Sequence, residues 1–252
     1  MGKKKVKKIF NNISVKYDVT NAIISLGIEK YWRFRFNSFI NGREKIIMDA
    51  CCGTGTSSFE IWEKTKRNSL LYGLDISEEM LKVARGKLNK IKNKHKKIEG
   101  EILFKKADIE NTGFPDNYFD LITIIFGIRN INNRQKVLKE LRRISKKGAR
   151  LLCMEFNYPP IKLFRRFYNF YLDRILIKFG SIMTKNKDAY IHLVKSIKDF
   201  PQPLTFKKLL ENSGWKVVSI NTYTLKTCVI YEAGKNKNNN NLKKTYFNIE
   251  KP

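Results

Sequence analysis

The sequence predicts an α/β protein with a doubly wound sheet, on three observations. Short β-type runs alternate with helix-period segments through the middle of the chain. The first run passes straight into the glycine-rich turn Asp49-Ala50-Cys51-Cys52-Gly53-Thr54-Gly55. Acidic residues, Asp75 and Asp108, then stand at the ends of the next two runs. At 252 residues and 42% hydrophobic content, the chain is long and apolar enough for one domain with a substantial core.

The elements follow in order. Lys45–Cys52 is the first strand, followed by a helix pattern from Ser57 to Lys66. Leu70–Ile76 is the second strand; Ser77 then offers an N-cap, with Glu78 and Glu79 in the first helical turn. Met80, Leu81, Val83, Ala84 and Leu88 form that helix's apolar face. Glu101–Lys106 and Phe119–Phe126 are the third and fourth strands. Val137, Leu138, Leu141 and Ile144 recur at helical spacing, with Gly148 expected to end the helix before a fifth strand, Arg150–Phe156. Residues 159–203 interrupt the alternation with an aromatic, basic helical insertion. Phe206, Leu209 and Leu210 face inward on a last helix, and Trp215–Thr224 with Thr227–Ala233 close the fold as an antiparallel hairpin. Residues 1–44 are expected to form a helical lid, residues 45–235 the main domain, and residues 236–252 a disordered Asn/Lys-rich tail.

The 51 Lys and Arg against 23 Asp and Glu give a net charge of +28, which admits an anionic membrane surface or nucleic acid as a partner. The charge is spread along the chain in clusters such as Lys3–Lys8 and Lys90–Lys97, so it does not choose between them. Cys51, Cys52, Cys153 and Cys228 lack paired metal-ligand spacing, and two histidines, His95 and His192, are too few for a histidine cluster; no metal is expected. No apolar run approaches the ~20 residues needed to span a bilayer, and Val6 stands where a myristoylation signal needs Ser or Thr. A soluble or peripheral membrane protein is expected.

Gly53 and Gly55 remove side chains where the backbone turns tightly beside a ligand. Asp75, at the end of the second strand, can hold ribose hydroxyls, and Asp108 after the third strand can reach an adenine. A dinucleotide fingerprint needs a third glycine where Ser58 stands, and no Gly-Lys-Ser/Thr follows to make a P-loop. Asp49 before the glycines suits an adenosyl-amino acid. The pattern points to S-adenosylmethionine, held by Asp49, Gly53, Thr54, Gly55, Asp75, Asp108 and Ile109.

Several separated motifs carry a resemblance. Tyr17, Asp18, Asn21, Ser25 and Trp32 match one signature, with Thr20 and Glu29 replacing its Met and His. Arg143-Ile144-Ser145-Lys146, Gly148 and Met154-Glu155 match a second; Phe114-Pro115-Asp116, Phe119-Asp120 and Phe126-Gly127-Ile128-Arg129-Asn130 match further segments. The chain resembles the ubiquinone/menaquinone C-methyltransferase family over roughly residues 5–234. In Cys51-Cys52-Gly53, Gly73-Leu74-Asp75, Phe156-Asn157 and Tyr171-Leu172-Asp173-Arg174-Ile175 it is most similar to the cyanobacterial and plastid branch. Thr56 replaces the family's Asp after the second glycine, and Ile125 its fourth-strand Ser.

The resemblance implies a class I S-adenosylmethionine-dependent methyltransferase fold with a mostly parallel seven-stranded sheet. It also implies C-methylation of a demethylated prenyl-naphthoquinol, with a methoxy-polyprenyl-benzoquinol as the alternative acceptor. The compartment it implies is plastid, mitochondrion or bacterial cytoplasm, and a homodimer or quinone-synthesis complex is an expected assembly. Arg129 and Asn130 are the implied catalytic residues; Tyr17, Asp18 and Asn21 are the implied substrate-binding lid. A guanidinium stays charged to above ~12, so Arg129 is expected to stabilise a ring phenolate while water removes the proton and Asn130 positions it. Phe164, Phe167, Tyr168, Phe170, Tyr171 and Leu172 are expected to line an isoprenoid groove, with Arg165, Arg166, Arg174 and Lys178 on lipid headgroups. An RNA methyltransferase of this fold often carries Asn-Pro-Pro-Tyr after the fourth strand; here Asn157-Tyr158-Pro159-Pro160 follows the fifth in another order, so nucleic acid is not the expected substrate.

Overall fold

The computed structural model describes residues 2–14, 17–25, 27–94, 100–235 and 246–248; the side chains of residues 19, 21, 23, 24, 94 and 246–248 lie outside the description. Asn21 is therefore placed by its backbone alone, within the second helix.

Seven strands, β1 (Ile46–Ala50), β2 (Leu70–Asp75), β3 (Glu101–Lys106), β4 (Phe119–Ile125), β5 (Ser145–Phe156), β6 (Lys216–Tyr223) and β7 (Cys228–Gly234), form the body of the sheet. Their order is β3-β2-β1-β4-β5-β7-β6. Only β7 runs against its neighbours, pairing antiparallel with both β5 and β6. This is the class I methyltransferase arrangement expected from the sequence. The chain winds from β1 outward to β3 and returns to the far side of β1 as β4, which opens a crevice at the carboxyl ends of β1, β2 and β4.

Helices cover both faces, which is why the central strands read as continuous apolar runs rather than alternating ones. In chain order they are α1 (Lys3–Ile13), α2 (Tyr17–Ile24), α3 (Ile28–Asn37), α4 (Thr56–Lys64), α5 (Glu78–Lys94), α6 (Arg134–Ile144), α7 (Lys162–Phe170), α8 (Ile177–Thr184), α9 (Lys187–Lys198) and α10 (Pro203–Asn212). On one face Trp32, Phe36, Ile61, Trp62, Leu81 and Ala84 pack together. On the other, Val137, Leu138, Leu141, Phe206, Leu210 and Trp215 do so. Ser77 Oγ accepts the N–H of Met80 at 3.2 Å, the helix cap that Ser77 offered in the sequence.

A third apolar cluster stands outside these layers. Ile9 and Ile13 of α1 meet Met80, Leu172, Leu176, Tyr190, Val194 and Ile197. The amino-terminal helix and the 159–203 insertion thus form one cap, whereas α3 belongs to the sheet's own core through Trp32 and Phe36. Between α7 and α8 the chain passes through a π-helical stretch, Tyr171–Leu176.

Two boundaries differ from the sequence reading. Helix α6 ends at Ile144 rather than Gly148, because Ser145 returns its hydroxyl to Leu141 O at 2.7 Å and turns directly into β5. Gly148 lies inside that strand at φ +80°, its N–H bonded to Lys235 O at 2.9 Å. In the expected disordered tail, Tyr246–Asn248 pair parallel with Ser219–Asn221 as an eighth strand, β8. The outer edge of β6 offers free backbone groups there, and Tyr246 and Phe247 are strand-favouring residues. Cys52, Cys153 and Cys228 are buried free thiols, and Cys51 is half-buried.

Candidate active site

The turn after β1 folds as its glycines require. Gly53 and Gly55 hold φ of +56° and +78°. A Cβ on Gly55 would fall 2.8 Å from the Phe104 ring, so that glycine serves packing. A Cβ on Gly53 would meet nothing within 4 Å and would project beside a cavity of ≈ 120 Å³ at the crevice. The Asp75 carboxylate accepts the Gly53 N–H at 2.9 Å and the Ser77 N–H at 2.8 Å, which fixes it at the cavity wall with acceptor capacity to spare. Asp108 and Ile109 line the same cavity. Asp108 is already bonded to Lys3 Nζ of α1 at 2.7 Å, and Lys3 also reaches Glu110 at 2.8 Å.

The remaining expected cofactor residues stand behind this wall. Asp49, buried, accepts the Ser58 hydroxyl at 2.6 Å and the Thr123 hydroxyl at 2.9 Å. Burial pushes its pKa up to about 6. Thr54 donates its hydroxyl to Asp18 at 2.7 Å, and Lys87 closes on the other Asp18 oxygen at 2.5 Å. Asp18 thereby bonds the hydroxyl of Thr56 as well, at 3.3 Å, so a carboxylate from α2 stands against the residue that replaces the family's Asp. Asp49, Thr54, Gly55 and Asp18 are not on the lining of either cavity described here; Gly53, Asp75, Asp108 and Ile109 are. This set fits S-adenosylmethionine: a rigid carboxylate for ribose hydroxyls, an open glycine, and an apolar wall with a polar rim for adenine.

A second, larger cavity of ≈ 300 Å³ adjoins the first and is mostly apolar. Phe10, Tyr17, Phe126 and Asn130 line both. Signature residues Ser25, Glu29 and Trp32 line the larger one, as do Phe164, Tyr168, Tyr171 and Leu172. Phe167 and Phe170 do not: they are 65% and 62% exposed on the opposite side of α7. The aromatic stripe expected to line one groove therefore divides, because one helix cannot turn all its faces inward.

Arg129 sits on the 3-10 turn Ile128–Asn130 just past β4, and its side chain is 4% exposed. Glu155, fully buried at the end of β5, accepts Nη1 at 2.9 Å and the Arg129 backbone N–H at 3.1 Å. Nη1 also donates to Phe126 O, and the guanidinium lies 5.0 Å from the Phe156 ring centroid. Nε is buried with no partner among the described residues. Beside it, Asn130 Oδ1 lies 2.9 Å from Nε2 of His192, on α9. Glu155 had a sequence signal as part of Met154-Glu155; His192 and Lys3 had none beyond their residue types.

The description "ubiE/COQ5 methyltransferase family" belongs to a family model that matches residues 1–235. The chain belongs to that family. The ubiquinone/menaquinone biosynthesis C-methyltransferase of Shewanella pealeana is 34% identical over 220 residues, covering 87% of this chain and 86% of the relative. That of Shewanella baltica is 33% identical over 223 residues with the same coverage. Among solved structures, an S-adenosylmethionine-dependent methyltransferase from Thermotoga maritima superposes with a TM-score of 0.60 at 17% identity, covering 90% of this chain and 99% of that one. One from Aquifex aeolicus gives 0.53 at 20% identity, covering 75% and 81%. Like other members of the ubiE/COQ5 family, this chain is an S-adenosylmethionine-dependent C-methyltransferase.

Proposed function

We propose that this protein methylates a ring carbon of a demethylated prenyl-naphthoquinol, with a methoxy-polyprenyl-benzoquinol as the alternative acceptor. The observation that carries the reading is the meeting of the two cavities at Asn130, Phe126, Tyr17 and Phe10. A small polar-rimmed cavity for the methyl donor opens there on a large apolar one suited to a prenylated ring. Resemblance to the cyanobacterial and plastid branch in Tyr171-Leu172-Asp173-Arg174-Ile175 and Cys51-Cys52-Gly53 favours the naphthoquinol.

S-adenosylmethionine, when bound, supplies a methyl group on a positively charged sulfur. Asp75 would hold the ribose, Asp108 and Ile109 the adenine, and Gly53 would leave room for the backbone to approach. The protein then has to raise electron density on one ring carbon and keep water away. A phenol titrates near ~10, and a phenolate forms at neutral pH only where positive charge and donors face its oxygen. The Arg129 guanidinium, which lines the large cavity, supplies the charge. Glu155 holds the guanidinium still and satisfies Nη1, so the group need not reorganise as the oxygen ionises.

Helix α7 supports a membrane-resident substrate. Its inner face lines the large cavity through Phe164 and Tyr168, while Leu163, Phe167 and Phe170 are exposed, followed by Phe179 and Ile182 of α8. Arg165, Arg166, Arg174 and Lys178 stand among them in the sequence, the mixture that docks on anionic lipid. No helix among the described residues is long and apolar enough to cross a membrane.

The test is incubation with methyl-labelled S-adenosylmethionine and three acceptors under reducing conditions: demethylated prenyl-naphthoquinol, methoxy-prenyl-benzoquinol and total RNA. Label on the naphthoquinol ring is expected. Label on the benzoquinol alone would move the substrate within the same class, and label in RNA alone would overturn the quinol reading.

A further inference from the structure

We propose that His192 is the catalytic base, with Nδ1 removing the proton of the ring hydroxyl beside the carbon to be methylated. The inference rests on the quinol reading above and replaces the water that the sequence alone had suggested for this step.

Asn130 Oδ1 can only accept a hydrogen bond, so the His192 nitrogen 2.9 Å away, Nε2, carries the ring's proton in the neutral imidazole. The lone pair is then on Nδ1, which has no partner among the described residues. His192 lines the large cavity, and Asn130, which orients it, lines both, so the ring stands beside the boundary where acceptor and methyl donor meet. The burial of the ring, then the positive charge of Arg129, hold its pKa down at about 4, so it is neutral at pH 7. A phenolate forming alongside supplies a countercharge that raises the ring's affinity for the proton.

Glu155, Glu29, three of the lining tyrosines and Arg129 are poorly placed to accept a proton. Both Glu155 oxygens, behind Arg129, are bonded to Arg129 or Phe156 N–H groups. Glu29 is held by Arg33 at 2.6 Å. Tyr168, Tyr171 and Tyr190 have their phenols pushed up by burial, which keeps them protonated. A guanidinium has five N–H donors and no acceptor, so Arg129 offers no site for the proton.

The step balances as a deprotonation followed by transfer. The hydroxyl O–H bond breaks, the proton joins Nδ1, and the electron pair left on oxygen conjugates onto the neighbouring ring carbon. That carbon bonds to the methyl carbon while the carbon–sulfur bond breaks, its pair passing to sulfur as a neutral thioether. The ring carbon then releases its own hydrogen as a proton to water, the pair of that C–H bond restoring the aromatic ring and the charge on oxygen, and imidazolium gives its proton back to that oxygen.

The experiment compares wild type with His192→Gln, whose amide keeps a donor toward Asn130 but cannot take a phenol proton. Loss of about 10²–10⁴-fold in kcat at pH 7, with KM for the quinol little changed, is expected. Wild-type kcat should level off above the titration of the base, whereas His192→Gln should keep rising to alkaline pH as free phenolate becomes available. With only two histidines in the chain, the variant also assigns the His192 resonance for a second readout. On binding 2,3-dimethyl-1,4-naphthoquinol, whose acceptor carbons are blocked, the His192 ring signal should move toward imidazolium and its titration upward. Full kcat and an unchanged pH profile in His192→Gln, or a ring signal indifferent to the bound quinol, would overturn the assignment. Wild type that methylates no quinol would instead sink the functional reading beneath it.

Discussion

Among individual residues, the buried pair of Arg129 and Glu155 ties chemistry to stability. Removing one partner of such a pair leaves a lone buried charge, which costs about 3–5 kcal/mol. Glu155→Ala is therefore expected to lower unfolding free energy by about that amount in a urea titration, and to lose turnover in the fraction that stays folded. Asp49 gives a pH signature. Its folded pKa, pushed up to about 6 by burial, exceeds the ordinary 3.8, so the folded state binds the extra proton and stability falls as pH rises through about 4 to 6. Asp49→Asn should remove that slope, read as the difference between variant and parent in urea midpoints across pH 4–7.5. An unchanged slope would show that Asp49 is ionised when folded at low pH. Asp75, Gly53 and Asp108 were legible in the sequence because strand ends and glycine turns announce themselves locally. The Arg129–Glu155 and Asn130–His192 pairs were not, since each joins residues 26 or 62 positions apart that only the closed fold brings together.

Helix α1 shows the same division between segments. Its helical character within residues 1–44 and its Lys3–Lys8 cluster were read from the chain, but not its place over the smaller cavity, where Lys3 bridges Asp108 and Glu110. Partly exposed pairs of this kind are worth about 0.2–1 kcal/mol. Lys3→Ala should thus speed release of S-adenosylmethionine about two- to five-fold in stopped flow, with the difference vanishing at high salt. A salt-independent effect would mean that Lys3 acts through packing. The succession of strands β1 to β7 along the chain was legible, because alternation of periods and turn chemistry are local; their lateral order in the sheet, which depends on contacts between distant segments, was not. The end of α6 was not: Gly148 looks like a helix stop, yet Ser145 had already terminated the helix through its own hydroxyl. The insertion was legible as helical, but its π-helical stretch at Tyr171–Leu176 was not.

For the molecule as a whole, the charge of +28 and the exposed aromatics of α7 and α8 act together. Electrostatic attraction to anionic lipid falls with salt, whereas the apolar contribution does not. Binding to phosphatidylglycerol-containing vesicles should weaken between 0.05 and 0.5 M salt but persist at a residual level. Full burial of a Phe side chain contributes about 1.5–3 kcal/mol, so the double substitution Phe167→Glu and Phe170→Glu should cut vesicle partitioning by more than about 100-fold. Turnover of a short-chain, water-soluble quinol should be unaffected, because neither residue lines the cavity. Loss of that turnover would place both side chains in the substrate's path instead.

Helix α7, apolar toward the cavity and apolar toward the outside, has a kinetic corollary. A ring that reaches its pocket past such a helix while its tail stays in lipid never dissolves in the aqueous phase. The concentration that drives the reaction is then the mole fraction of quinol in the bilayer. Diluting the bilayer with inert phospholipid should slow the enzyme, whereas diluting the whole vesicle suspension at constant bound enzyme should not.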